Sequence, residues 1–246
     1  MVVDRVAVDP HRLADRRLVW DPWFVDIPAI GQLCREGVDL DRPVTAVVGE
    51  NGSGKSTFVE ALARYWADRL TAQVKHWTPS STTEDADLHR ALVVAGERPR
   101  PQGGCFLRAE AMHQLFGQID SGDGPHAGAT RAFGGALNLR SHGESFLAYL
   151  ESRQSERGLF ILDEPEAALS FTSCMRLLAV LGVLAEGGSQ VVLATHSPVL
   201  AAFPGATILE FGAHGIRTAA WAELELVQHW QAFLEDRDLY LRHLFD

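Results

Sequence analysis

Cysteine is scarce in this chain: three occur among 246 residues, at Cys34, Cys105 and Cys174, with no Cys-x-x-Cys pair. An odd, widely spaced set frames neither a disulfide scaffold nor a zinc site, so these read as small apolar residues in a reducing compartment. Long hydrophobic runs are missing too. None approaches the roughly 20 apolar residues that span a bilayer, and no membrane segment is expected. The opening MVVDRVAVDPHRLADRR carries acids among its bases and lacks the apolar centre of a secretory leader. A cytoplasmic address is the expectation. Excess positive charge is absent as well. With 32 acids against 22 bases the net charge is −10, which opposes a general nucleic-acid surface. Two local groups, Arg12, Arg16 and Arg17, and Arg98, Arg100 and Arg108, leave DNA open as a partner that net charge does not support. There is no internal repeat. Residues 71–140 are too short and too rich in glycine and proline for a coiled-coil arm.

What the chain does have is a phosphate-binding pattern. Val44 to Val48 is a β-branched apolar run, the mark of a strand buried on both faces. Gly49 to Ser56 fits G-x-x-x-x-G-K-[ST], and Phe58, Leu62 and Tyr65 then recur at helical spacing. Strand, glycine-rich turn and helix is the context this motif needs. Glycines at 49, 52 and 54 let successive N–H groups of Glu50, Asn51, Gly52, Ser53 and Gly54 converge on phosphate. The helix start at Lys55, Ser56 and Thr57 adds partial positive charge. Lys55 is expected on the β- and γ-phosphates and the Ser56 hydroxyl on Mg²⁺. ATP and Mg²⁺ are the expected ligands.

A second half of the site follows in LFILDE and LATHSP. Both are apolar strands ending in polar residues, as in a parallel sheet with its site at the strand ends. Asp163 is placed to hold Mg²⁺, directly or through water. Glu164, just beyond, can orient and deprotonate an attacking water. His196 can bond the γ-phosphate or that water. ATILEF and GIRTAAW suggest a hairpin, residues 1–43 edge strands, and Glu223 to Leu244 an amphipathic tail.

GENGSGKST, LFILDEPEAALS and LATHSP together resemble the ATP-binding cassette (ABC) ATPases, and more closely the soluble branch that holds RecF-type and structural-maintenance-of-chromosomes (SMC) proteins. GGALNLRSHGESFLAYL and GCFLRAEAM are similar to blocks of small bacterial predicted ATPases of the AAA family. The resemblance implies an α/β P-loop NTPase fold with a mostly parallel sheet, antiparallel N-terminal and edge strands, and a small inserted helical lobe near 71–140. It implies one domain over 1–246. SHGES stands where that family carries its signature, which places Ser141, Gly143 and Glu144 on the γ-phosphate of a second copy; His142 departs from the pattern. Ala168, Leu169 and Ser170 match the loop that crosses the dimer interface. Glu110 stands near the family's glutamine position, where it either reaches Mg²⁺ through water or steadies the start of a helix. The implied activity is ATP hydrolysis by an ATP-dependent head-to-tail homodimer, with a protein partner open. A transporter subunit and a non-hydrolysing binding module are the alternatives. Trp20, Trp23 and Phe24 are candidates for adenine stacking, with core packing favoured for most of them.

Overall fold

A computed structural model describes residues 2–19, 21–68, 87–96, 103–112 and 141–242. Six strands make the main sheet, in the order β5-β6-β7-β3-β8-β9. They are β3 (Val44–Val48), β5 (Gly103–Arg108), β6 (Gly158–Asp163), β7 (Gln190–Thr195), β8 (Thr207–Gly212) and β9 (Gly215–Thr218). The first five run parallel, and β9 turns back antiparallel on β8 as the expected hairpin. β3, β6 and β7 are buried at every position, which is why they read as continuous apolar runs rather than alternating ones. Register decides which side chains meet at the strand ends. Arg108 pairs with Asp163, Asp163 with Ala194, and Val48 with Thr195. The polar ends of four strands therefore meet along one edge of the sheet.

Successive residues on these strands enter opposite cores. Phe106, Leu159, Ile161 and Val192 pack with Phe58 and Leu62 of α3 (Lys55–Ala67) and with Ile30 and Leu33 of α2 (Pro28–Glu36). Cys105, Leu107, Phe160, Leu162 and Leu193 pack on the other face. Their partners are Phe146 and Leu150 of α5 (His142–Glu151) and Leu177 and Leu181 of α6 (Phe171–Glu186). Between α3 and α5 lies one short helix among the described residues, α4 (Leu88–Ala91), and α1 (Pro10–Ala14) precedes α2. Beyond β7 come α7 (Pro198–Ala201), α8 (Glu225–Glu235) and α9 (Arg237–Leu241), the last two divided at Asp236.

A second, antiparallel sheet has the order β2-β1-β4, with β1 (Arg5–Val8), β2 (Val38–Asp39) and β4 (Leu92–Ala95). Gln190, at the start of β7, ties it to the main sheet. Its amide oxygen accepts from the N–H of Val2 at 3.1 Å and of Val3 at 2.7 Å, and its nitrogen donates to the carbonyls of Val3 and Leu40. All four capacities of a buried amide are used, the condition under which burying one is tolerable.

The N-terminal region differs from expectation. Within residues 1–43, expected as edge strands, β1 and β2 are strands, but between them Trp23–Asp26 is a 3₁₀ turn followed by α2. Pro28 is the first helical residue, where its missing N–H costs nothing and its fixed φ favours the helix. Within the stretch expected as an inserted helical lobe, β4 belongs to the second sheet, while GCFL lies in β5 of the main sheet, as a short apolar run leading into a turn at Ala109 should. The rest of 71–140, apart from α4 and a 3₁₀ turn at Ala109–Ala111, lies outside the described residues, as do Trp20, Arg98 and Arg100. All three cysteines are free. Burial pushes the Cys34 thiol up to about 11 and the Cys105 thiol up to about 12, and it raises Cys174 as well. Among the described residues no helix is long and apolar enough to cross a membrane.

Candidate functional site

The turn from β3 into α3 is built for a close approach. A Cβ on Gly49 would lie 2.1 Å from the Phe211 carbonyl oxygen, so only glycine fits there. Gly54 holds φ at 98° as it starts α3, a left-handed conformation that strains other residues. No side chain caps α3, which leaves its first N–H groups directed outward, as an anion needs. The Ser53 hydroxyl is buried without a hydrogen-bond partner. A glycine-only cradle, an uncapped helix start and an orphaned hydroxyl fit a phosphate chain.

Lys55, 3% exposed, folds back over this loop and donates to the Glu50 carbonyl at 3.1 Å. Its ammonium lies 4.0 Å from Glu164. Burial lowers the Lys55 pKa, with Glu164 and then Asp163 opposing the shift. Ser56, one residue on, donates its hydroxyl to Asp163 Oδ1 at 3.1 Å. Burial raises the Asp163 pKa, against the pull of Arg108 and the Ser56 hydroxyl. A hydroxyl and a carboxylate in contact are oxygen donors of the kind Mg²⁺ takes, sparingly, alongside phosphate oxygens. Among the described residues no group of three or more His, Cys, Asp or Glu could hold a metal by itself. The donor set thus fits a cation whose remaining ligands come from a nucleotide and water.

Glu164 follows on a φ of +50°, the one positive value at a non-glycine residue among those described. Its N–H donates to the Ala194 carbonyl at 2.9 Å, which holds the turn against β7. The carboxylate meets His196 Nε2 at 2.8 Å. Strain at a carboxylate of this kind is typical of residues placed for function. The pair separates two clefts. One, of about 300 Å³, is lined by Trp23, Ser56, Thr57, Glu60, Arg108, Glu110, Asp163 and Glu164. The other, of about 450 Å³, runs along Gly49, Glu50, Asn51, Gly52 and Ser53 with His196 and His214. Trp23 stands at the mouth of the first cleft, 44% exposed, whereas Phe24 is wholly in the core.

Ser141, Gly143 and Glu144 line neither cleft. Ser141 begins α5 with a capping box: its hydroxyl accepts from the Glu144 N–H at 3.3 Å, and the Glu144 carboxylate accepts from the Ser141 N–H at 3.1 Å. The helix starts at His142, and the Ser141 hydroxyl is engaged within its own turn. Gly143 packs on the segment after β6, where an added Cβ would stand 2.7 Å from the Ala168 carbonyl oxygen. The structure thus brings Lys55, Ser56, Asp163, Glu164, His196 and Glu110 to one sheet edge, whereas Ser141 and Glu144 are exposed outside both clefts and Gly143 is buried against Ala168 and Leu169.

Two residues at the edge were missed or misplaced in the sequence. Glu166 accepts from the Thr195 hydroxyl at 2.7 Å and from the His196 N–H, so one carboxylate fixes the end of β7. The third acid in DEPE was the available signal. Arg108 does not belong to an exposed basic cluster. It donates to Asp163 Oδ2 at 2.8 Å and to Glu60 at 3.2 Å. Burial works against its charge, but Asp163 and then Glu60 outweigh it and raise the Arg108 pKa.

Two families match parts of the chain: "AAA domain, putative AbiEii toxin, Type IV TA system" over residues 145–202, and "AAA domain" over residues 26–83. A "Putative ABC transporter ATP-binding protein" of Streptomyces avermitilis is 29% identical over 65% of this chain and 30% of its own length. The vitamin B12 import ATP-binding protein BtuD of Vibrio atlanticus is 27% identical over 62% of this chain and 68% of its own. The chain therefore spans less than a third of the Streptomyces relative. Among solved structures, the SMC head domain from Thermotoga maritima overlaps 75% of this chain and 93% of its own at a TM-score of 0.45 and 14% identity, a likeness too loose to bear on function.

Proposed function

We propose that this chain is an ABC-type P-loop ATPase that takes up Mg²⁺–ATP, hydrolyses the γ-phosphate and closes head to tail on a second copy across two nucleotides. Residues 1–246 act as one ATPase domain in this reading. The observation that carries it is the contact of Ser56 with Asp163, beside the row Lys55, Glu164 and His196. Gly49 to Thr57 cradle the phosphates. Ser56 and Asp163 hold Mg²⁺, with Glu110 within reach through water. Bound there, the metal offsets charge on the phosphate oxygens. Glu164 takes the proton of the attacking water, and His196, at hydrogen-bond distance from Glu164, orients that water or the γ-phosphate. Lys55 screens charge that develops as the phosphoryl group departs. Trp23, which lines the first cleft, is the described aromatic that this reading assigns to the base.

Ser141, Gly143 and Glu144 complete the partner's site in this reading. Support comes from the exposure of Ser141 and Glu144 at the capped helix start, beneath which Gly143 is buried in close packing on Ala168 and Leu169. Closing on ATP and opening on ADP would make hydrolysis an association switch.

The test needs only the purified chain. Phosphate release with Mg²⁺ and ATP, and light scattering of samples held with Mg²⁺ and a slowly hydrolysed ATP analogue, should give turnover and a doubled mass. No release either alone or with a membrane fraction would sink the hydrolase reading, and an unchanged mass would sink the dimer. The names of the relatives favour a transporter subunit as a second reading. Turnover that appears only with a membrane fraction would favour it over the first.

Glu166 has a distinct expected effect. Glu166→Ala frees the end of β7 and lets His196 move, and misplacement of about 1 Å lowers turnover by about a hundredfold. Glu166→Gln keeps an acceptor for the Thr195 hydroxyl and the His196 N–H, and should retain most of the turnover. Steady-state phosphate release on both variants checks this; equal losses in the two would show that charge, not positioning, is at stake.

A further inference from the structure

Arg108 has no part in the proposed ATP cycle, yet it sits at the centre of the first cleft. Its guanidinium bridges two elements, with Nε on Asp163 Oδ2 at 2.8 Å and a terminal nitrogen on Glu60 Oε2 at 3.2 Å. Its side chain is 18% exposed, against 2% for Asp163 and 9% for Glu60. Glu60 lies one helical turn after Ser56 on α3, so both face the same side. Glu60 is also held by Arg64 at 3.0 Å. Two carboxylates therefore converge on Arg108, and the Ser56 hydroxyl holds the other oxygen of one of them, Asp163. Without the arginine, these oxygens would make a small, negatively charged set of the kind that Mg²⁺ and Mn²⁺ bind.

We infer that Arg108 is a resident counter-cation that closes the Asp163–Glu60 pair to free divalent metal, so that metal enters only together with a triphosphate. The fork holds the Asp163 oxygen that Ser56 does not, and two arginines balance the two acids. A metal ion alone would have to shed water and displace a guanidinium for little return. A metal carried on a triphosphate brings its own oxygen ligands, and the phosphates add negative charge that favours it. Arg108 is in this sense a positioning residue: it sets the order in which ligands arrive. The inference rests on reading the cleft as a metal–nucleotide site.

Mn²⁺ is the probe, followed by the loss of its free electron-spin-resonance signal on adding the nucleotide-free, full-length protein. The wild type should bind it weakly. Arg108→Met should bind it at least about tenfold more tightly, because the acids lose their balancing charge while keeping their geometry. Arg108→Lys, which restores the charge, should return toward the wild type, and adding Glu60→Gln to Arg108→Met should remove the gain. If Arg108→Met fails to fold, Arg108→Gln carries the same expectation. A folded neutral variant with unchanged Mn²⁺ affinity overturns the inference, as does Arg108→Lys binding as tightly as Arg108→Met. A parallel titration of the wild type with Mn²⁺ and ATP separates the two readings. Failure there sinks the metal–nucleotide site itself, whereas success there with no gain in the neutral variants sinks only the role of Arg108.

Discussion

Glu164→Gln retains ATP binding, loses about a thousandfold in turnover and accumulates as a dimer. The magnitude is that of a positioned general base. The substitution keeps the shape of the side chain, and an amide can still pair with His196 Nε2, 2.8 Å away. The left-handed backbone at Glu164 strains glutamine as it strains glutamate, so the fold is unaffected. What disappears is the acceptor for the water proton. With hydrolysis stalled, the γ-phosphate would remain to bridge the two copies of the proposed dimer. Phosphate release and light scattering in saturating Mg²⁺–ATP check both parts. Turnover within about tenfold of the wild type would remove Glu164 from the role of base, and a monomer would remove the bridging triphosphate from the account.

Lys55→Met has the opposite signature: ATP binding weakens on the order of a hundredfold, as when one member of a desolvated charge pair is removed. The empty protein is nonetheless no less stable. Lys55 is buried and its folded pKa is lowered. For a base this means that the fold disfavours the charged form. The cost is carried in full at all pH values below the folded pKa and fades as pH rises from there to the unfolded value. At neutral pH methionine escapes that cost. Thermal melts should therefore show a wild-type Tm that rises with Mg²⁺–ATP and a variant Tm at or above that of the empty wild type with no such rise. A large fall in the empty variant's Tm would mean that Glu164 and Asp163 depend on the ammonium for stability.

Much of this architecture was legible because the pattern and the physics coincide. Val44–Val48 reads as a doubly buried strand and is one. The two apolar strands ending in Asp163 and Thr195 carry their polar ends to the same edge because parallel strands must. The hairpin of β8 and β9 was visible in the short turn between two apolar runs. The N-terminal aromatic stretch was not, because a proline fits both the end of a strand and the first turn of a helix, and at Pro28 it opens a helix. The role of Arg108 was hidden by a register: only the pairing of β5 with β6 sets it opposite Asp163, and nothing in FLRAE states which strand lies alongside. The capping box at Ser141 was half readable. A serine before a helix is visible, but the reciprocal bond from Glu144, which occupies the hydroxyl, depends on where the helix begins.

The cysteines bear on how such motions can be followed. With thiols pushed to about 11 at Cys34 and about 12 at Cys105, and raised at Cys174, only about one native sulfur in ten thousand or fewer is thiolate at neutral pH for the first two. A maleimide dye therefore finds little to react with in the unaltered chain. One cysteine introduced on the solvent side, at Glu186 for instance, becomes the preferred target without any need to strip out the others, and energy transfer between two labelled copies reads their approach directly.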